Sequence, residues 1–202
     1  GDKAYALGEE LKRGGAHVQV ERLKFPFDDV DEHRLANLFD SSADTMDVEV
    51  DMLLNAVALS PNVSFEEQTL DGPEGWRAVF ETNLFSPFLL TRAFVRRART
   101  QRTSASVVHI GSSNGDNSYA DYSLPYDLAK GALAKMLSNM ARTFTTKYHT
   151  RGNTVAPGWV ATTASMDLAD PKEKARELRR IFQKRYGTPE EIADMVATLF
   201  FN

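Results

Sequence analysis

A chain of 202 residues and 22.5 kDa, 42% hydrophobic, holds material for one domain around one core. A net charge of -4 and a pI near 5.6 exclude nucleic acid or an anionic membrane as an obligate partner, since both select a basic face. With no cysteine, disulfides and thiolate metal sites are ruled out, which fits a reducing, cytoplasmic setting; the four scattered histidines lack metal-ligand spacing. No apolar stretch is long enough to span a bilayer and no signal-peptide pattern opens the chain.

In chain order, residues 4–13 read as a helix closed by Gly14-Gly15, and 17–20 as an extended run. Leu35, Leu38 and Phe39 mark a short amphipathic helix, and 48–54 a strand whose Met52-Leu53-Leu54 suits burial on both faces. A long helix is expected from Glu74, with Pro73 at its start and an apolar stripe of Trp76, Val79, Phe80, Leu84, Phe88 and Phe94. The basic run Arg96, Arg97, Arg99 and Arg102 reads as its solvated end, where cations complement the helix dipole. A strand over 106–110 stops at Gly111, a second long helix covers 122–148, and another strand leads to Pro157-Gly158. Two helices close the chain, a charged one over 171–185 and one started by Thr188-Pro189-Glu190-Glu191. Strands and helices alternating at this spacing predict one α/β domain, a doubly wound, Rossmann-like parallel sheet over 1–202.

Three groups of residues carry chemistry. Tyr126 and Lys130, four apart at a helix start, share one face, and an ammonium there favours the phenolate and lowers the tyrosine pKa. Ser112-Ser113 follows a strand directly, at the carboxyl end where open parallel sheets bind ligands, although a serine there also serves as a plain turn residue. Asn83 falls on the apolar stripe, where a polar side chain is costly without a partner. Pro87 cannot donate to the Asn83 carbonyl, which predicts a kink and a carbonyl open to water.

In order and spacing, Asn83, Ser113, Tyr126 and Lys130 resemble the Asn-Ser-Tyr-Lys tetrad of the short-chain dehydrogenase/reductase family, with Ser113 thirteen positions before Tyr126. Further segments are similar to that family's signatures: Asp51-Met52-Leu53-Leu54-Asn55-Ala56, the stretch from Asn153 through Pro157-Gly158 to Thr162, Gly187-Thr188-Pro189-Glu190-Glu191, and Asp28 ahead of Val30-Asp31. The resemblance runs from about Asp28 to the end. It implies a nicotinamide cofactor, NADP or NAD with NADP favoured, and a small carbonyl or alcohol substrate (or a C=N or C=C bond to reduce). It implies Tyr126 as general acid/base, Lys130 lowering its pKa and holding the ribose, Ser113 on the substrate oxygen and Asn83 anchoring a relay water. Cofactor contacts fall to Asp28, Asn55, Ala56, Tyr126, Lys130, Pro157, Gly158 and Thr162, and the substrate pocket to Ser113, Asn114, Tyr119 and Trp159. It also implies a homodimer or homotetramer paired through the two long helices, whose apolar residues include Phe94, Leu133, Met136, Leu137 and Met140.

The departures are specific. Val57 and Ala58 stand where the family has asparagine and glycine, and none of the twelve glycines forms the family's Gly-x-x-x-Gly-x-Gly turn. The family's first strand and its last are missing, so the sequence reads as part of a longer protein or a cut-down relative. Two rivals stand beside the reductase. One is a binding or scaffold relative that kept the fold and lost the cofactor. The other is a hydrolase, since Gly111-Ser112-Ser113-Asn114-Gly115 fits a nucleophile elbow with His149 downstream.

Overall fold

The computed structural model describes residues 2–15, 35, 37–40, 49–117, 121–162 and 171–201. Asp28, Tyr119 and the extended run at 17–20 lie outside them. Helix α1 (Asp2–Arg13) ends at Gly14 and at Gly15, whose φ of +91° is open to glycine at no steric cost.

Among the described residues three parallel strands form one sheet in the order β1 (Met52–Asn55), β2 (Ala105–Ile110) and β3 (Thr150–Val155). Register is one-to-one: Leu53 faces Val107 and Asn55 faces His109, while Val107 faces Gly152 and His109 faces Thr154. β1 is shorter than the apolar pattern predicts, with residues 49–51 outside the strand. The doubly wound α/β architecture read from the alternation of segments is the one observed.

The first long helix begins later than expected, at Trp76 behind Gly75, with Pro73 and Glu74 in the preceding turn. It runs as α2 (Trp76–Phe80), a π-turn over Glu81–Phe85, and α3 (Ser86–Gln101). The π-turn is the physical answer to Pro87. Widening the coil by one residue lets Ser86 donate to Glu81 O just ahead of the missing proline N–H. Arg102 caps α3 at φ 57°, where the basic run predicts an end. Arg97 departs from the solvated reading: it is buried, and its Nε donates to Asp40 Oδ1 at 2.7 Å.

Helix α4 (Leu124–Tyr148) follows a 3-10 turn at Asp121–Ser123, so the helix starts two residues beyond the predicted point. Side chains alternate along β2. Ala105 and Val107 meet Phe94, Val95, Ala98, Leu137 and Phe144 of α3 and α4, together with Phe39. Val108 and the half-buried Ile110 meet Val196 and Ile192 of the last helix, α6 (Pro189–Phe201), on the opposite face. Each fully buried Phe or Val contributes about 1.5–3 kcal/mol by leaving water. The charged helix α5 (Pro171–Arg180) is shorter than its pattern suggests. Much of the apolar surplus expected on the long helices is absorbed here, because Phe94, Leu133 and Leu137 are core residues; Phe85 and Leu128 remain exposed.

Candidate active site

The expected groups gather at the carboxyl ends of β1, β2 and β3, where the strands hand over to loops. After Ile110 the chain turns at Gly111, where a Cβ would stand 2.7 Å from Thr154 Cγ2. Ser112 then caps a 3-10 turn (Ser113–Gly115), its Oγ accepting from Asn114 N at 3.2 Å. This turn lies directly on α4: a Cβ on Gly115 would meet Gly131 N at 2.8 Å, and one on Gly131 would meet Gly115 O at 2.8 Å. Two facing glycines thus bring the serines onto the helix that carries Tyr126 and Lys130.

Of the two serines, Ser112 is the one whose hydroxyl favours the Tyr126 phenolate. Ser113 lies against the segment after β3: its N donates to Pro157 O at 2.9 Å, and its Oγ is 4.0 Å from the place a Gly158 Cβ would fill. Lys130 is buried at 2% exposure, with Nζ donating to Ile110 O at 2.7 Å and lying 5.8 Å from the centre of the Tyr126 ring. Phenol and ammonium therefore share a face, as their spacing predicts.

Their electrostatics differ from expectation. Burial pushes the Tyr126 pKa up and the neighbouring Asp127 adds to this, while the Ser112 bond opposes both; the predicted lowering is not found. Burial also lowers Lys130 from 10.5 to about 8. Asp127 is a site residue the sequence reading missed. It is 3% exposed, accepting from Asn114 Nδ2 and from Ser123 Oγ, each at 3.0 Å, and burial raises its own pKa. One N–H of the Asn114 amide, expected in the substrate pocket, thus goes to Asp127.

Asn83 is fully buried inside the π-turn, which packs against α4. Its Nδ2 donates to Leu59 O at 2.7 Å and Val79 O at 2.9 Å, and its Oδ1 accepts from Leu59 N at 3.2 Å. The side chain therefore ties the loop after β1 to the helix, satisfying the polar group on the apolar stripe. Asn55, expected at a cofactor, turns its amide inward to Thr91 Oγ1 at 3.2 Å, while Ala56 is exposed. Thr91 Oγ1 in turn shares a hydrogen bond with His109 Nε2 at 2.9 Å. His109 is fully buried, and burial with the nearby Lys130 charge lowers its pKa from 6.5 to about 4. One signal for Thr91 was present in the sequence: Asn83, Pro87 and Thr91 recur every four residues, which puts Thr91 on the stripe of Asn83.

On the other side, Trp159 is exposed at 41% and its ring meets Tyr186 at 5.9 Å. Parallel bonds join Gly187 N to Trp159 O and Ala161 N to Gly187 O, both at 2.9 Å, and Thr162 is exposed just beyond. The nucleophile elbow fails here. Ser113 opens a 3-10 turn at the carboxyl end of β2, whereas His149 caps the far end of α4, next to the amino end of β3.

The arrangement fits the nicotinamide-ribose half of a dinucleotide. Lys130 spends one N–H on Ile110 O among the described residues and keeps further donors, and Gly158 leaves open backbone beside Ser113. Among the described residues no group of three His, Asp or Glu is placed to hold a metal.

Comparison with known proteins finds relatives of the same fold. A family model described as enoyl-(acyl carrier protein) reductase matches residues 3–202. Dehydrogenase/reductase SDR family member 4 of Bos taurus is 31% identical over 152 residues, 74% of this chain and 52% of that protein. Acetoacetyl-CoA reductase of Cupriavidus necator is 33% identical over 155 residues, 75% of this chain and 58% of that one. The chain spans about half the length of these curated relatives. A solved 7 alpha-hydroxysteroid dehydrogenase, complexed with NADH and 7-oxo glycochenodeoxycholic acid, superposes with TM-score 0.82 at 23% identity, covering 96% of this chain and 72% of that structure.

Proposed function

The chain belongs to the short-chain dehydrogenase/reductase family, and from that premise we propose that it is an NAD(P)-dependent oxidoreductase interconverting a carbonyl and an alcohol, or reducing a C=N or C=C bond. The observation that carries this reading is the buried Lys130 one helical turn from Tyr126, with Ser112 on the phenol. A nicotinamide dinucleotide supplies the hydride when bound.

The chain's own residues handle the proton and the alignment. With its pKa raised by burial, Tyr126 is a phenol at neutral pH and donates its proton to the substrate oxygen in the reducing direction. Ser112, already on that phenol, holds the same oxygen; it takes the role the spacing gave Ser113, and Ser113 moves to the cofactor side beside Pro157 and Gly158. Lys130, charged below about pH 8, favours the phenolate left behind and binds the ribose hydroxyls. Asn83 offers a relay water the carbonyl that Pro87 cannot bond. Thr162, Ala56 and the Asn55 backbone border the cofactor. Trp159 and Asn114 wall the substrate side.

Titration with NADPH and NADH, followed by nicotinamide fluorescence, tests the reading. Micromolar binding of one or both is expected, retained in Tyr126→Phe while turnover falls by about 10²–10⁴. Binding of neither would assign the chain to the scaffold alternative. The exposed Phe85 and Leu128 support pairing of copies through the long helices; a monomer by light scattering would remove that part.

A further inference from the structure

Asp127 is a buried acid that the proton transfer from Tyr126 does not use. The dipole of α4 favours an acid in its first turn, but an exposed carboxylate would serve that purpose as well. This one is 3% exposed. Burial raises its pKa and no cation offsets the effect, so the charge is held at a cost that only its hydrogen bonds repay.

Those bonds join three segments. Oδ1 accepts from Asn114 Nδ2 and Oδ2 from Ser123 Oγ, each at 3.0 Å. Asn114 lies in the turn after β2, one residue beyond Ser113, just as Asp127 lies one residue beyond Tyr126. Ser123 closes the 3-10 turn ahead of α4, and the loop after β1 holds that turn through Gln68 Nε2 on Asp121 O at 2.7 Å. The carboxylate thus brackets the serine turn to the start of the helix.

From this bracket a line of contacts leads to Tyr126 by way of Ser112. Asn114, whose side-chain amide Asp127 holds, donates its backbone N–H to Ser112 Oγ at 3.2 Å. That bond occupies one lone pair of the hydroxyl and leaves its O–H to donate elsewhere. Ser112 is also the serine whose hydroxyl favours the Tyr126 phenolate. The contact of Gly115 with Gly131 sets the distance between turn and helix at residue 115. The bracket adds a restraint at residue 114, the one that bonds the serine.

We propose that Asp127 is a positioning residue, which holds Asn114 and through it aligns the Ser112 hydroxyl with the Tyr126 phenol. Its part in turnover rests on the oxidoreductase reading; the alignment does not.

The test is carbon-13 NMR at neutral pH, with tyrosine labelled at the ring carbon that bears the oxygen and the Tyr126 resonance assigned by Tyr126→Phe. That carbon senses hydrogen bonding at the phenol. Two substitutions remove the Asp127 charge alike. Asp127→Asn keeps the bracket, because its carbonyl accepts from Asn114 and its amide donates to Ser123 Oγ, whereas Asp127→Leu breaks it. With Ser112 present the two should differ, Leu lying with Ser112→Ala and Asn with the unaltered protein. With Ser112→Ala added they should coincide. Equal resonances in the presence of Ser112, or a difference that survives its removal, overturn the proposal. Asn114→Ala opens the bracket from its half-buried other end and should move the resonance as Leu does, which keeps the test in hand if Asp127→Leu fails to fold. In turnover, Asp127→Leu should lower kcat by about 10–100-fold with NADPH and NADH affinity unchanged, and Asp127→Asn should recover it to within about threefold. A shifted resonance in a protein that binds neither cofactor would keep the alignment and remove the reductase reading.

Discussion

Two rows on one face of the sheet, two residues apart, are made of opposite materials. The row Leu53–Val107–Gly152 lies under Phe94, Leu137 and Phe144, so tightly that a Cβ on Gly152 would meet Phe144 Cδ2 at 3.1 Å. The next row towards the carboxyl ends is Asn55–His109–Thr154, covered by Thr91, with Lys130 bonded to the residue after His109. In the first row no polar side chain needs a partner and close packing suffices. In the second, His109 Nδ1 and Thr154 Oγ1 are buried with no partner among the described residues, and two cationic or potentially cationic groups share a low-dielectric space. One face thus divides into an end that stabilises and an end that holds chemistry at a cost in stability.

Breaking the apolar row should have the largest effect. Phe144→Ala is expected to cost about 4 kcal/mol in urea unfolding while leaving cofactor affinity of the folded fraction intact. An equal loss of affinity would mean that the two rows are not separable.

Acid probes the polar row. The folded pKa of His109, about 4, lies below the ordinary 6.5, so the unfolded chain takes up the proton first. Stability held above pH 6.5 is then lost as pH falls towards 4, by about 3 kcal/mol from this group. His109→Asn should flatten that part of the pH profile; an unchanged slope would acquit the imidazole.

The two serines sharpen the comparison at the rim. Ser112→Ala should lower turnover about 100-fold and Ser113→Ala far less, because Ser112 is the serine that favours the Tyr126 phenolate. The reverse ranking in steady-state kinetics would restore the role to Ser113.

The smallest effect is a gain. Desolvation holds the Lys130 pKa near 8 against 10.5, so its charge opposes folding below pH 8, and that penalty fades as pH rises from 8 to 10.5. Lys130→Met removes the penalty but orphans Ile110 O, for a net stabilisation of about 1 kcal/mol at pH 7, accompanied by loss of turnover. A destabilised variant at that pH would show that the ammonium's hydrogen bond outweighs its desolvation.

Much of this was legible in one dimension. The alternation of apolar periods determined the α/β architecture. Pro87 determined that the helix could not run on undisturbed, and the four-residue step put Tyr126 and Lys130 on one face. Such features are local: they depend on backbone geometry within a turn or two.

Which of two adjacent serines acts on the Tyr126 pKa depends on tertiary contact, where Gly115 rests on Gly131 and Ser112 caps its turn. The inward turn of Asn55, the pairing of Asn114 with Asp127 and the direction of the tyrosine pKa were decided the same way. Burial and pairing depend on elements far apart in the chain coming together, and spacing along the sequence carries no measure of how much water that packing leaves around a charge.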